Sequence, residues 1–187
     1  MYQVHGLILV GGKSQRMGVD KYGLKVNGVS LIDRAVEMLL PYVDKVYISK
    51  RRDQILPDQQ VGVILDLYEH IGPMAGIWSA MDHNPLVSWL VYAVDLPKIQ
   101  SRTIQELCDQ YSLNFDVIVP YTGNANLQPT MALYNPSFSS VLNSAIIDQK
   151  YGLRRAIAKA HSKAYKTKYV EDFFNLNNPE DLEVLQR

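Results

Sequence analysis

Cysteine is nearly absent: Cys108 is the single one in 187 residues, which excludes an intramolecular disulfide framework and any multi-cysteine zinc site. Surplus charge is missing too. Nineteen Lys plus Arg balance 19 Asp plus Glu, so no global cationic field exists to hold nucleic acid or an anionic membrane. No stretch approaches the roughly 18 consecutive apolar residues of a membrane-spanning helix. The apolar start, residues 6–10, is cut by Gly11 and Gly12 before it reaches the length of a signal h-region. Together these absences predict a protein of the reducing cytoplasm that engages neither nucleic acid nor membrane. Internal repeats, low-complexity tracts and linkers are also missing. With 47% hydrophobic residues, the chain suits one compact domain over residues 1–187.

Short β-branched and aromatic runs alternate with segments of helical period. Gly6 to Val10 reads as a buried strand whose continuous apolar character suits a parallel sheet. Ser30 stands in capping-box spacing before Asp33, and Leu31, Ile32, Ala35, Met38 and Leu39 form a helical stripe ending near Pro41. Strands are predicted at 45–49, 61–65, 89–94, 117–119 and 130–134, the last with Pro129 permitting only an edge start. Helices are predicted over 73–81 and from Ser101, as cap, through Leu107, then around Phe138 and Leu153. Asn178 and Pro179 offer cap and first-turn chemistry to a final helix, with Glu180 and Asp181 at its positive end. The alternation predicts a three-layer α/β/α domain with a mainly parallel sheet, a class that binds ligands beyond the carboxyl ends of its strands.

The stretch from Leu9 to Lys21 is the most informative in the chain. A Walker A loop needs glycine where Leu7 stands, so Gly12-Lys13-Ser14 is a near miss, and the Rossmann spacing of three glycines fails as well. What remains is a loop whose backbone N–H groups can approach an anion, because Gly11, Gly12 and Gly18 remove Cβ obstruction. Lys13, Arg16, Lys21 and Lys25 face one acidic residue, Asp20, within the first thirty positions. That local charge attracts a polyphosphate; a plain strand-to-helix connection with solvated charges is the other reading.

Further along, Asp66 ends an apolar strand just before Ile71-Gly72-Pro73-Met74-Ala75-Gly76, a helix start carrying two glycines suited to close backbone approach. A carboxylate there can accept from the N1–H and N2–H₂ donors of guanine, or it can close an Asx turn. Asp95 sits where the strand Val91 to Val94 ends. One carboxylate at a strand end suits Mg²⁺, which keeps several waters and takes its other ligands from nucleotide phosphates, although a lone Asp before a turn can also be structural. Asp66, Glu69 and His70 sketch a transition-metal cluster, but His5, His83 and His161 add no ligand spacing. If extended, Asn175-Leu176-Asn177 presents both amides on one face. Between Asp148 and Glu171 lie seven Lys and Arg and no acidic residue, either a solvated face or a cationic wall for a second phosphate.

These motifs resemble the molybdenum cofactor guanylyltransferases. That family opens with Leu, a small residue, Gly-Gly-x-Ser-x-Arg-Met-Gly-x-Asp-Lys, matched over Leu9 to Lys21 except that Val10 replaces the usual alanine at the mouth of the nucleotide pocket. Its Gly-Pro-Leu-Ala-Gly element is similar to residues 72–76, its strand-ending Asp-x-Pro to Asp95, and its closing Asn-x-Asn to Asn175 and Asn177. Gln128-Pro129-Thr130 and Gly152-Leu153-Arg154-Arg155 resemble segments near the pterin side. The resemblance implies a Rossmann-like nucleotidyltransferase domain that transfers GMP from GTP to molybdenum-bound molybdopterin, releasing pyrophosphate. It implies catalytic roles for Arg16, Lys21 and Asp95, with Mg²⁺ on Asp95. Substrate binding falls to Leu9, Gly11, Gly12, Gly18, Lys21, Asp66, Gly72, Gly76, Asn175 and Asn177. Pterin-delivering or molybdoenzyme proteins are the implied partners. A transferase using CTP or another phosphorylated metabolite, and a non-catalytic nucleotide-binding protein, stand as alternatives; the former is weakened by Gly11-Gly12 where cytidylyl relatives carry Ala-Gly.

Overall fold

A computed structural model describes residues 3–10, 23–57 and 60–186. Strand β1 (Val4–Leu9) lies between two parallel neighbours, β4 (Lys45–Lys50) and β6 (Ser88–Ala93). Beyond β4 comes β5 (Gly62–Leu65), also parallel. On the other side β6 pairs antiparallel with β9 (Met131–Tyr134), which pairs antiparallel with β7 (Val117–Thr122), and β10 (Ser162–Lys166) closes that edge parallel to β7. The order β10-β7-β9-β6-β1-β4-β5 places the chain's reversal of direction across the sheet between β1 and β6. A short β8 (Asn126–Leu127) folds back on β7, and β2 (Lys25–Val26) with β3 (Val29–Ser30) forms a small separate hairpin.

Side-chain alternation along β1 builds the three layers. Leu7 and Leu9 face a core shared with α2 (Pro73–His83), α4 (Phe138–Ile147) and α5 (Leu153–Ile157). Ile8 and Val10 face the opposite core, with α1 (Leu31–Leu39), α3 (Ser101–Asp109), Phe173 and Leu176. Leu182 and Leu185 of α6 (Pro179–Gln186) pack against that second core beside Leu24 and Val26. Both faces of the sheet are thus covered by helices, which is why its strands carry continuous apolar runs.

Most expected elements are present within a residue or two, and three differ for physical reasons. Ser101 is the first helical residue of α3 rather than its cap: Gln100 is extended and its carbonyl accepts from the Thr103 and Ile104 amides at 3.0 and 3.3 Å. Strand β9 is interior, paired on both sides, because Pro129 lies outside its ladder and accepts the Tyr134 hydroxyl on its carbonyl at 2.7 Å. Strand β10 escaped the hydrophobic pattern since it is an edge strand carrying Lys163 and Lys166, charges that discourage further pairing. At α1, Ser30 caps as expected, accepting from the Asp33 amide at 3.1 Å.

Candidate active site

The crevice beyond the carboxyl ends of β1 and β6 is where a sheet of this order binds ligands. Gly11, Gly12, Arg16, Gly18 and Lys21 lie outside the described residues. Leu9, just before them, is buried against α2, its carbonyl accepting from the Val94 amide at 3.2 Å. Val10 points the other way, into the α1 core, so its larger side chain fills the interior instead of the mouth of a nucleotide pocket.

Gln54, which no periodicity singles out, is buried at this point. Its Nε2 donates to the Val10 carbonyl at 3.2 Å and its Oε1 accepts from the Arg51 amide at 2.9 Å. Lys50 Nζ donates to the Gln54 carbonyl at 2.7 Å. The residue preceding Gly11 is therefore clamped to the loop that follows β4.

Asp66 extends the β4–β5 register by one residue, its amide donating to the Lys50 carbonyl at 2.9 Å. Its carboxylate is 9% exposed and accepts from Ser49 Oγ at 2.5 Å. Burial pushes the carboxyl pKa up, while the Ser49 hydrogen bond and the Arg51 charge pull it back towards the ionised form. Gly76 lies directly beneath: a Cβ there would run into Ser49 Oγ and come within 2.7 Å of Leu9 Cδ2. Leu9, Asp66 and Gly76, separate in sequence, thus converge on Ser49, a residue that the sequence pattern left unmarked inside an ordinary strand.

Gly72 has open space beside it: among the described residues no atom lies within 4 Å of where its Cβ would stand. Its backbone, at φ 65° and ψ −150°, occupies a region essentially restricted to glycine, and from there it turns the chain into α2 with Pro73 following. Ser79 Oγ closes the same turn by accepting from the Leu67 amide at 2.8 Å.

Asp95 stands two residues past the end of β6 and is half-buried. Its carbonyl accepts from the Leu176 amide at 2.8 Å, which draws Asn175 and Asn177 to the same strand end. Leu176 is fully buried while both asparagines are exposed, so the two amides share the outward side as extended geometry requires. The backbone N–H groups of Asn177 and Asn178 donate to Asp181 Oδ2 at 2.7 and 2.8 Å, fixing the start of α6. Gln128 and Arg154 meet at the β7–β8 turn. Gln128 Nε2 donates to Thr122 Oγ1 at 3.0 Å, and Arg154 Nη2 to Asn126 Oδ1 at 2.7 Å.

Among the described residues no three His, Cys, Asp or Glu side chains cluster to hold a metal, so Asp66, Glu69 and His70 form no such site. Asp95 alone fits a hard cation that takes most of its ligands from water and phosphate, being a single carboxylate at a strand end.

The MobA-like NTP transferase domain family matches residues 6–164. The "Probable molybdenum cofactor guanylyltransferase" of Pyrococcus horikoshii is 30% identical over 189 residues, covering 95% of this chain and 96% of that one. The "Molybdenum cofactor biosynthesis bifunctional protein" of Synechocystis is 31% identical over 186 residues; the chain spans about half of that protein, 52% of its length. Among solved structures, molybdopterin-guanine dinucleotide biosynthesis protein A from Archaeoglobus fulgidus superposes with a TM-score of 0.80 at 24% identity, covering 97% of this chain and 96% of that one. A 2-C-methyl-D-erythritol 4-phosphate cytidylyltransferase from Thermus thermophilus shares the fold at a TM-score of 0.71 and 12% identity, with 96% of each chain covered. With the family match running from β1 into β10, this chain belongs to the MobA-like NTP transferases.

Proposed function

We propose that this chain is a molybdenum cofactor guanylyltransferase, moving GMP from GTP to molybdenum-bound molybdopterin with release of pyrophosphate. The observation that carries the reading is that two carboxylates, Asp66 after β5 and Asp95 just past β6, stand at carboxyl ends of parallel strands on either side of β1, in a chain of this family. The acceptor phosphate is already nucleophilic: one of its oxygens forms the new bond to the α-phosphorus as the bond from that phosphorus to the β-phosphate oxygen breaks. The protein's task is alignment and charge neutralisation, with no covalent protein intermediate.

In this reading Arg16 and Lys21 bear charge on the polyphosphate, Gly11, Gly12 and Gly18 offer backbone N–H groups, and Asp66 accepts from guanine. Asn175 and Asn177 hydrogen-bond a polar ligand at the Asp95 end. Mg²⁺ held by Asp95 would offset phosphate charge. Gln128 and Arg154 border the pterin side. The whole of residues 1–187 acts as one transferase unit in the cytoplasm, receiving its pterin from, or passing its product to, partner proteins. Calorimetric titration with GTP, CTP and ATP, each with Mg²⁺, tests the base assignment. Selective GTP binding is expected; preference for CTP or ATP would overturn it.

A further inference from the structure

We propose that Asp172 is a positioning residue for the transfer reaction: from inside the fold it sets where the Asn175 and Asn177 amides stand beside Asp95. The inference rests on the reading of those two amides as ligand-binding groups.

Asp172 is a carboxylate only 3% exposed, in the single turn Val170–Phe173 that precedes them. Arg102 donates to it twice, from Nη2 to Oδ1 at 2.6 Å and from Nε to Oδ2 at 3.2 Å. The Thr103 hydroxyl donates to Oδ2 as well. Both donors belong to the first turn of α3. Arg102 also reaches Glu171 Oε1 at 2.9 Å and lies 4.6 Å from the Tyr169 ring centroid. Four residues after Asp172, the Leu176 amide is fixed to the Asp95 carbonyl, and between them Phe173 is buried and Lys98 Nζ sits 4.7 Å from the Phe174 ring centroid.

The segment carrying the asparagines is therefore pinned at two points, Asp172 and Leu176, with almost no slack between. In this pair the carboxylate is buried and the guanidinium half-exposed, and the best-attested use of burying such a charged group is to specify register rather than to add net stability. Beside the pin lies an open surface cleft of about 610 Å³, lined by Lys98, Gln100, Ser101, Arg102, Glu171 and Asp172. It leaves the segment room to shift once the pin is cut.

A double-mutant cycle tests this. Turnover with GTP and molybdopterin is measured for Asp172→Asn, for the Asn175→Ala/Asn177→Ala pair, and for all three together, with thermal midpoints checking that each variant folds. Asp172→Asn keeps the side-chain shape and removes the charge that orders both donors. It is expected to lower kcat/KM about tenfold or more, yet to cost less than about twofold on the double-alanine background, because it acts through those amides. Losses that multiply in the triple variant, or full activity of folded Asp172→Asn, overturn the positioning role while leaving a deficient alanine pair as evidence for the amides. A fully active alanine pair overturns both. Arg102→Lys, at a half-exposed position, enters the same cycle and is judged identically if Asp172→Asn does not fold.

Discussion

Asp66 is a carboxylate that the fold keeps at a cost. Burial raises its pKa above the ordinary 3.8, so the folded chain holds that proton more tightly than the unfolded one. Stability accordingly falls as pH rises from 3.8 through the folded value, and at neutral pH the ionised group is a liability offset in part by Ser49 and Arg51. Asp66→Asn is expected to leave the thermal midpoint at pH 7 equal or higher. The same change should weaken GTP binding roughly 10- to 100-fold, the loss of charge-assisted hydrogen bonds being worth about 1.5–3 kcal/mol. Unaltered GTP affinity in that variant would remove Asp66 from base recognition. Asp66 could be picked out in the sequence because a carboxylate follows an apolar strand. Ser49 and Gln54 could not: a serine inside a strand and a glutamine in a polar loop carry no local signal, and their roles come from partners 17 and 44 positions away.

Helix α2 is seated on β1 and β4 by one absent side chain. Gly76→Ala would drive a methyl into Ser49 Oγ and Leu9, and overpacking of this kind costs about 1–3 kcal/mol. Urea unfolding should show that loss together with weaker GTP binding, since the displaced Ser49 holds Asp66; a stable variant with intact binding would show that α2 can slide away harmlessly. Strand β1 and helix α1 were readable because an apolar run, an apolar helical stripe and a Ser30 cap agree with one another. The amide pair was readable as a pair. Its place was not: the Leu176 bond to Asp95 joins residues 81 positions apart through backbone atoms, which leave no trace in side-chain pattern. Strand β10 stayed hidden for the opposite reason, its lysines masking a half-buried edge.

Across the whole molecule the two ends of the sheet do different work. The carboxyl ends gather Asp66, Asp95 and the amides. Towards the amino ends a closed aromatic group carries stability, with His5 against Trp89 at 5.4 Å, Tyr47 against Trp89 at 5.6 Å and His83 against Tyr47 at 5.3 Å between ring centroids. Burial, then the charge of Lys45, lowers the His5 pKa below 6.5. The unfolded chain therefore takes up a proton that the folded one refuses, and stability is lost as pH falls below 6.5. His5→Phe should flatten that slope in unfolding experiments between pH 7 and pH 5; an unchanged slope would assign the acid sensitivity elsewhere. The reaction at the other end is open to a direct assay. Purified protein is incubated with molybdenum-bound molybdopterin, Mg²⁺ and GTP labelled at the α-phosphate. Label should pass into a guanine dinucleotide with one pyrophosphate released per transfer, and Asp95→Ala should cut the rate roughly a hundredfold or more. Label that stays in GTP, or that passes as readily from CTP, would show that guanylyl transfer is not this protein's chemistry.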